Sequence, residues 1–292
     1  MQPQKIGIVG TGMLGNAVGL HLMDLGYDLM VFNRTVEKTE QLKKRGAKIA
    51  NNPKEVAENS ELVIIVVKDA DAVQQLSFGH NGIVDGKHNM LTVADMSTIS
   101  STDSINISKQ FERHGIKKLD IPVMGGPNAA ESGNLVVMAS GNRDTFEKFR
   151  ELFEKIGNKV FFVGEQGVAN SVKLAMNLQI TMLALALSEG ITMIRKEGID
   201  PKVFLDILNS TYFKTGMSEK KAYKMIENQF DATFTLENLK KDISTMINAI
   251  ESRGLILPMI MKAEEIYGDA VKQGFGKKDY TGILEYIEKI NK

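Results

Sequence analysis

The chain of 292 residues has no cysteine and no tryptophan, only six prolines and only four histidines. Without cysteine there are no disulfides, thiolate zinc sites, iron–sulfur clusters or cysteine nucleophiles. His21, His80, His88 and His114 are scattered, and none has metal-ligand spacing to another histidine or a carboxylate, so no metal site is expected. An excess of one charge is missing too. The 36 Lys+Arg balance 36 Asp+Glu, and a chain without a basic field is not expected to bind nucleic acid or a membrane surface. The most apolar stretch, residues 174–187, is interrupted by Asn177, Gln179 and Thr181 and reads as too short to span a bilayer. The opening MQPQKIGIVG enters a strand-like segment directly, without a signal-peptide pattern, so a cytoplasmic location is expected. No P-loop or nucleophile-elbow serine is present. The expectation is a soluble protein of a reducing compartment, with two domains at roughly 150 residues each.

What is present falls into two rhythms. Short β-branched runs at 5–9, 28–32, 62–67, 91–96, 117–120, 135–140 and 159–163 alternate with helix-like segments. The run LVIIVV at 62–67 is continuously apolar, as in a strand covered on both faces. Strands joined by helices predict a doubly wound α/β domain of the Rossmann type over residues 1–163. Pro53, after Asn51 and Asn52, marks a helix start. Beyond about Gly164 the strand signal stops, and residues 164–292 read as an all-α domain. It opens with a long helix over 167–196, about 45 Å at ~1.5 Å per residue. The middle of that helix is apolar almost all round, which calls for covering by other protein. Asp200 and Pro201 cap and start the next helix, and breaks are expected at Gly216, at 253–258 and at 274–276.

Gly10-Thr-Gly12-Met13-Leu14-Gly15 follows the first strand and opens the first helix. There Gly10 permits a tight turn, Gly12 a close approach of backbone N–H groups to a pyrophosphate, and Gly15 close helix–strand packing. The helix N-terminus adds a favourable field for phosphate. The second strand ends in Asn33-Arg34-Thr35, with Lys38 one turn on, rather than in the acidic residue that would bond a ribose and repel a 2′-phosphate. This favours NADP(H), with NAD(H) bound more weakly.

The second informative segment is Gly167-Val-Ala-Asn170-Ser-Val-Lys173-Leu-Ala-Met-Asn177. Lys173 and Asn177 share a helix face, with Asn170 a turn earlier. A lysine opening so apolar a helix is expected to be partly desolvated, which lowers its pKa and suits it to proton transfer. Asn177 can hold an ammonium or a hydroxyl. The same pattern also fits a lysine whose head group snorkels to water, and the chemistry alone leaves both readings open.

Four blocks in order resemble the β-hydroxyacid dehydrogenase family, which includes 3-hydroxyisobutyrate dehydrogenases and glyoxylate/succinic semialdehyde reductases. They are the glycine loop, Asp120-Ile-Pro-Val-Met124-Gly125-Gly126-Pro-Asn-Ala-Ala-Glu-Ser-Gly133, the Gly167–Asn177 segment, and Lys241-Asp242 after Phe234. Asp95-Met-Ser97-Thr98 is also similar to a family segment beside the nicotinamide. The resemblance implies Lys173 as general acid/base, worth about 10²–10⁴ in rate, and Asn177 as a substrate holder. It implies Val67, Lys68, Thr98 and Lys241 beside the cofactor, and backbone N–H groups of Gly125 and Gly126 on a substrate carboxylate. Met124 departs from the family, which usually has Ser there. A thioether in that place suggests a substrate with an apolar side or a different pose. Ser101 replaces a usual proline and is expected to matter little.

The reading is an NADP-dependent oxidoreductase for a short 3-hydroxy acid or its semialdehyde, with its active site in an interdomain cleft and a homodimer or homotetramer in solution. The alternatives are a glyoxylate or succinic semialdehyde reductase, an imine reductase, which would usually lack the lysine, and a non-catalytic NADP-binding scaffold. One charge-assisted bond to a 2′-phosphate contributes roughly 1.5–3 kcal/mol. The expected kcat/KM is therefore about 10- to 150-fold higher with NADPH than with NADH; steady-state rates showing equal efficiency with both would remove the preference.

Overall fold

The computed structural model describes residues 5–292, so Met1–Gln4, and with them the first part of the N-terminal reading, lie outside the described residues. The chain forms two compact units, Met1–Lys173 and Leu174–Lys292.

In the first unit β1 (Ile6–Val9), β2 (Leu29–Phe32), β3 (Lys48–Ile49), β4 (Leu62–Ile65), β5 (Thr92–Asp95) and β6 (Lys117–Asp120) form a parallel sheet in the order β3-β2-β1-β4-β5-β6. The chain leaves β1 toward β2 on one side and returns to β4 on the other. That reversal is the switch point at which open α/β sheets bind ligands, beyond the carboxyl ends of the strands. Strands β7 (Val123–Met124), β8 (Leu135–Gly141) and β9 (Gly157–Gly164) extend the sheet past β6. The helices of this unit are α1 (Met13–Asp24), α2 (Glu40–Lys44), α3 (Pro53–Glu58), α4 (Ala70–Phe78), α5 (Ser101–Arg113), α6 (Pro127–Glu131) and α7 (Arg143–Ile156).

Every residue of β1, β4 and β5 is buried, and alternate side chains enter two different cores. Ile6, Ile8, Leu62 and Ile64 pack with Val18 and Leu22 of α1 and Phe146, Phe149 and Phe153 of α7. Val9, Val63, Ile65 and Val93 pack with Val56 of α3, Val73 of α4 and Phe111 of α5. The period-2 pleat thus explains why these strands are apolar without alternation. Asn52 caps α3 by accepting from Glu55 N, with Pro53 in its first turn.

Two features differ from the sequence reading. Strands β3 and β7 carry no recognisable period, being two residues each. The strand at 135–141 runs antiparallel to β6 rather than continuing the doubly wound pattern. Its connection holds only β7 and the five-residue α6, so the chain doubles back instead of crossing over the sheet.

The second unit contains most of α8 (Val168–Lys196), then α9 (Pro201–Asn209), α10 (Gly216–Lys220), α11 (Ala222–Ile226), α12 (Leu236–Glu251), α13 (Pro258–Ala270) and α14 (Ile283–Ile290). Among its described residues there is no strand beyond one bridge, Thr235 to Asp279. Leu174 and Ala184 of α8 join Leu239 and Ile243 of α12, Tyr267 of α13 and Ile287 of α14 in its core. Asp200 caps α9 through Lys202 N, ahead of Pro201. The division between units falls inside α8 rather than near Gly164, because the start of that helix is bonded to the sheet unit. Gly167 N donates to Asp120, and Ala169 N to Ser140.

At 29 residues α8 is long and apolar enough to cross a membrane by length and composition, which its apolar middle taken alone is not. Several of its buried polar residues find partners within the protein, as Asn177 does on Asp242 and Thr181, Ser188 and Thr192 do on carbonyls one turn back, whereas both side-chain amide atoms of buried Asn170 have none. The helix is less covered than its all-round apolar middle calls for, with Met176 41% and Met193 62% exposed.

Phe153 is fully buried and stacks on Phe146 with ring centroids 6.0 Å apart. Phe153→Ala is expected to cost about 3–5 kcal/mol of stability, read as a lowered denaturant midpoint in urea unfolding.

Candidate functional site

In the first unit the site begins where β1 ends. Gly10 has φ 104°, and a Cβ there would lie 2.2 Å from Val66 O; at Gly15 a Cβ would lie 2.0 Å from Gly10 O. Neither position admits another residue, so the turn and the close approach of α1 to the strand both depend on glycine. Gly12 differs. Its φ is ordinary, at −65°, and a Cβ would meet nothing within 4 Å. The fold itself therefore does not require glycine at this position, which leaves open space over the start of α1. The start of α1 has no side-chain cap and no acidic residue in its first turn, whereas Asp69, Ser100 and Asn142 cap α4, α5 and α7. Thr11 adds a buried hydroxyl with no hydrogen-bond partner. An open cradle, uncapped helix N–H groups and an orphaned hydroxyl fit a dinucleotide pyrophosphate.

Asn33, at the end of β2, is committed to the loop itself. Its Oδ1 accepts from Thr11 N at 3.0 Å and its Nδ2 donates to Thr35 O at 2.8 Å. Arg34, Thr35 and Lys38 are exposed beside it, Lys38 in a short 3₁₀ turn. Met13 is half exposed and Leu14 packs against the core. After β4, Val67 N donates to Ser97 Oγ at 3.1 Å, and Ser97 N to Asp95 Oδ1 at 3.0 Å. Ser97 thus holds the loop carrying Val67 and Lys68 against the segment carrying Thr98.

The structure brings together Lys173 and Met124. The Lys173 ammonium donates to Met124 Sδ at 3.2 Å, so a thioether occupies the place beside the lysine. Gly125 has φ 120°, and a Cβ there would crowd Leu135 at 2.8 Å and Ala129 at 3.0 Å. Gly126 precedes Pro127 at the start of α6.

Beneath this lies a buried ion cluster that sequence reasoning missed. Lys118, inside β6, is wholly buried between Asp120 and Asp95, with Asp95 Oδ2 at 3.5 Å. Burial pushes the Asp120 carboxyl up, but the Lys118 ammonium and the bonds from Ser104 and Gly167 N outweigh it, holding the group below the usual carboxylate range. For Asp95 burial prevails over the more distant Lys118, and the Asp120 charge adds to it, so its pKa is raised. A cavity of ≈ 630 Å³ in this unit counts Lys117, Lys118, Arg143 and Gln166 among its lining residues. Its lining shares no residue with the glycine loop, Met124–Gly126 or Lys173.

In the second unit Asn177 is buried, donates from Nδ2 to Asp242 Oδ2 at 2.7 Å, and has no partner for its Oδ1. Lys241 lies 2.5 Å from the other oxygen of Asp242. Asp242 is the link between two predicted residues, and its only signal in the sequence is its place beside Lys241. The histidines do other work: His21 binds the carbonyls of Glu131 and Lys155, and His88 those of Ala57 and Ser60.

A Rossmann sheet with an open glycine loop at its switch point defines a dinucleotide-binding protein. Residues 5–164 match the NAD binding domain of 6-phosphogluconate dehydrogenase, and residues 167–287 match the NAD-binding domain of NADP-dependent 3-hydroxyisobutyrate dehydrogenase. The chain is 30% identical to a probable 3-hydroxyisobutyrate dehydrogenase-like 1, mitochondrial, of Arabidopsis thaliana, over 98% of this chain and 86% of that one. It is 29% identical to glyoxylate/succinic semialdehyde reductase 2, chloroplastic, of the same plant, over 97% and 79%. The crystal structure of 3-hydroxyisobutyrate dehydrogenase from Salmonella typhimurium superposes with a TM-score of 0.88 at 23% identity, over 97% of this chain and 99% of that one, and so shares its fold. The chain belongs to the β-hydroxyacid dehydrogenase family and is an NAD(P)-dependent hydroxy-acid oxidoreductase acting on CH–OH groups.

Gly12→Ala is expected to leave the melting temperature of the cofactor-free protein unchanged while weakening NADPH binding about tenfold or more, read by nucleotide fluorescence titration.

Proposed function

We propose that this protein interconverts a short 3-hydroxy acid and its semialdehyde, with NADP(H) preferred and Lys173 as the general acid/base. The observation that carries the reading is the Lys173 ammonium beside Met124, at the entrance to the Gly125-Gly126 turn. NADPH supplies the hydride when bound. In the reductive direction Lys173 delivers a proton to the oxygen that gains charge, and in the oxidative direction it removes one. Gly125 and Gly126 offer backbone N–H groups to the substrate carboxylate. Asn177 presents its unpartnered Oδ1 to a hydroxyl or ammonium, its amide nitrogen being tied to Asp242. Thr98, Val67, Lys68 and Lys241 serve the cofactor, as do Arg34, Thr35 and Lys38 through a 2′-phosphate.

Met124 removes the hydroxyl that a serine would offer and puts an apolar group beside the reacting carbon. This favours substrates carrying an alkyl substituent. The Arabidopsis glyoxylate/succinic semialdehyde reductase supports a second reading, in which the substrate is an unbranched aldehyde acid. We also propose a homodimer or homotetramer, because Met176 and Met193 of α8 stay 41% and 62% exposed and Ile207 of α9 62%. A monomer by light scattering would count against this.

Lys173→Ala is expected to fold and bind NADPH but lose about 10²- to 10⁴-fold in turnover, measured as NADPH consumption with a panel of aldehyde and keto acids. Near-normal turnover would remove the lysine's role, and no turnover of any acid by the unmodified protein would favour a binding scaffold.

A further inference from the structure

The first unit holds a charged group that neither cofactor nor substrate binding uses. Asp120 is fully buried, and four donors converge on its carboxylate. Oδ1 accepts from Lys118 and from Ser104 Oγ at 2.6 Å, and Oδ2 from Ser140 Oγ at 3.1 Å and Gly167 N at 2.7 Å. The Ser140 oxygen in turn accepts from Ala169 N at 3.2 Å.

Gly167 immediately precedes α8, and Ala169 lies in its first turn. Backbone N–H groups at a helix start have no partners within the helix. Here two of them are held by side chains of the sheet instead of by a cap from the helix's own sequence. The carboxylate also lies at the positive end of a 29-residue helix, where a negative charge is favoured. One turn beyond Ala169 the helix carries Lys173. On the other side of the carboxylate, Asp120-Ile-Pro-Val-Met124 runs directly to the thioether that Lys173 meets at 3.2 Å. Both halves of the Lys173–Met124 contact are therefore tethered to one buried group.

We propose that Asp120, acting with Ser140, is a positioning residue for Lys173: it fixes the start of α8 relative to the Met124–Gly126 turn and so sets where the ammonium stands. Lys118 is the counter-ion of this anchor, supplying a buried positive charge without which two aspartates would share one apolar interior. Ser104 and Gln166 complete it, since Gln166 Nε2 donates to Ser104 Oγ at 2.9 Å. The proposal rests on Lys173 being the proton donor, and its test keeps the two apart.

The experiment is a double-mutant cycle of Ser140→Ala and Lys173→Ala, read by single-turnover NADPH oxidation with the best aldehyde acid, NADPH titration and thermal melting. Ser140→Ala is expected to lower the rate roughly tenfold, the effect of slackening a catalytic group, with NADPH affinity within about twofold. In the Lys173→Ala background it is expected to lower the residual rate no further, because coupled residues are not additive. Ser140→Cys, which keeps a weak acceptor of similar size, should fall between serine and alanine, and it carries the same cycle if the alanine variant does not fold. A rate for Ser140→Ala within about twofold of the unmodified protein, or an equal loss with and without Lys173, would overturn the anchor while leaving Lys173's role intact. High turnover by Lys173→Ala alone would instead overturn the reading on which the anchor rests.

Discussion

A carboxylate taken out of water persists as a charge only where the fold surrounds it with donors, and Asp120 is surrounded by an ammonium, two hydroxyls and a backbone N–H. Each donor comes from a different place: β6 itself, α5, β8 and the start of α8. Satisfying one buried charge thus obliges four segments to meet at one point, and the rest of the first unit is arranged around that meeting. The antiparallel turn of β8 brings Ser140 opposite Asp120 in the ladder. The neighbouring ion pair links Lys118 to Asp95, from which Ser97 holds the loop after β4.

The cofactor end of the unit works by the opposite principle. Around Gly10–Gly15 the protein leaves groups unsatisfied instead of saturating them: an uncapped helix start, an orphaned Thr11 hydroxyl and open space over Gly12. Helices such as α3 and α5 carry side-chain caps. Other helices, such as α2, α6 and α13, also start without a side-chain cap, so what marks α1 is the uncapped start together with the open space over Gly12 and the orphaned Thr11 hydroxyl.

Much of this was legible in residue order. The strands buried on both faces announced themselves as continuous β-branched runs, and Asn52-Pro53 and Asp200-Pro201 marked helix starts that the structure contains. The glycine loop was readable because strand, turn and helix are contiguous. Other elements were not. β3 and β7 are two residues long, below the length at which a period can show. A lysine in a four-residue strand looks solvent-exposed, so Lys118 gave no sign of being buried between two aspartates. Asp242 was noticed only as a neighbour of Lys241, since its bond to Asn177 joins residues 65 apart.

The division follows from range. Periodicity, caps and turn chemistry are local, and they determined the succession of elements, the α/β domain followed by helices and the phosphate loop, while the role of Lys173 came from the family resemblance. Which strand runs antiparallel, where the first unit ends within α8 and which donors neutralise Asp120 depend on groups far apart in the chain. Lys173 and Met124 are 49 residues apart, and the start of the helix that carries one and the strand that leads to the other both bond through Asp120. The sequence names the groups; burial, which makes an unpaired charge too costly to leave alone, decides which of them must meet.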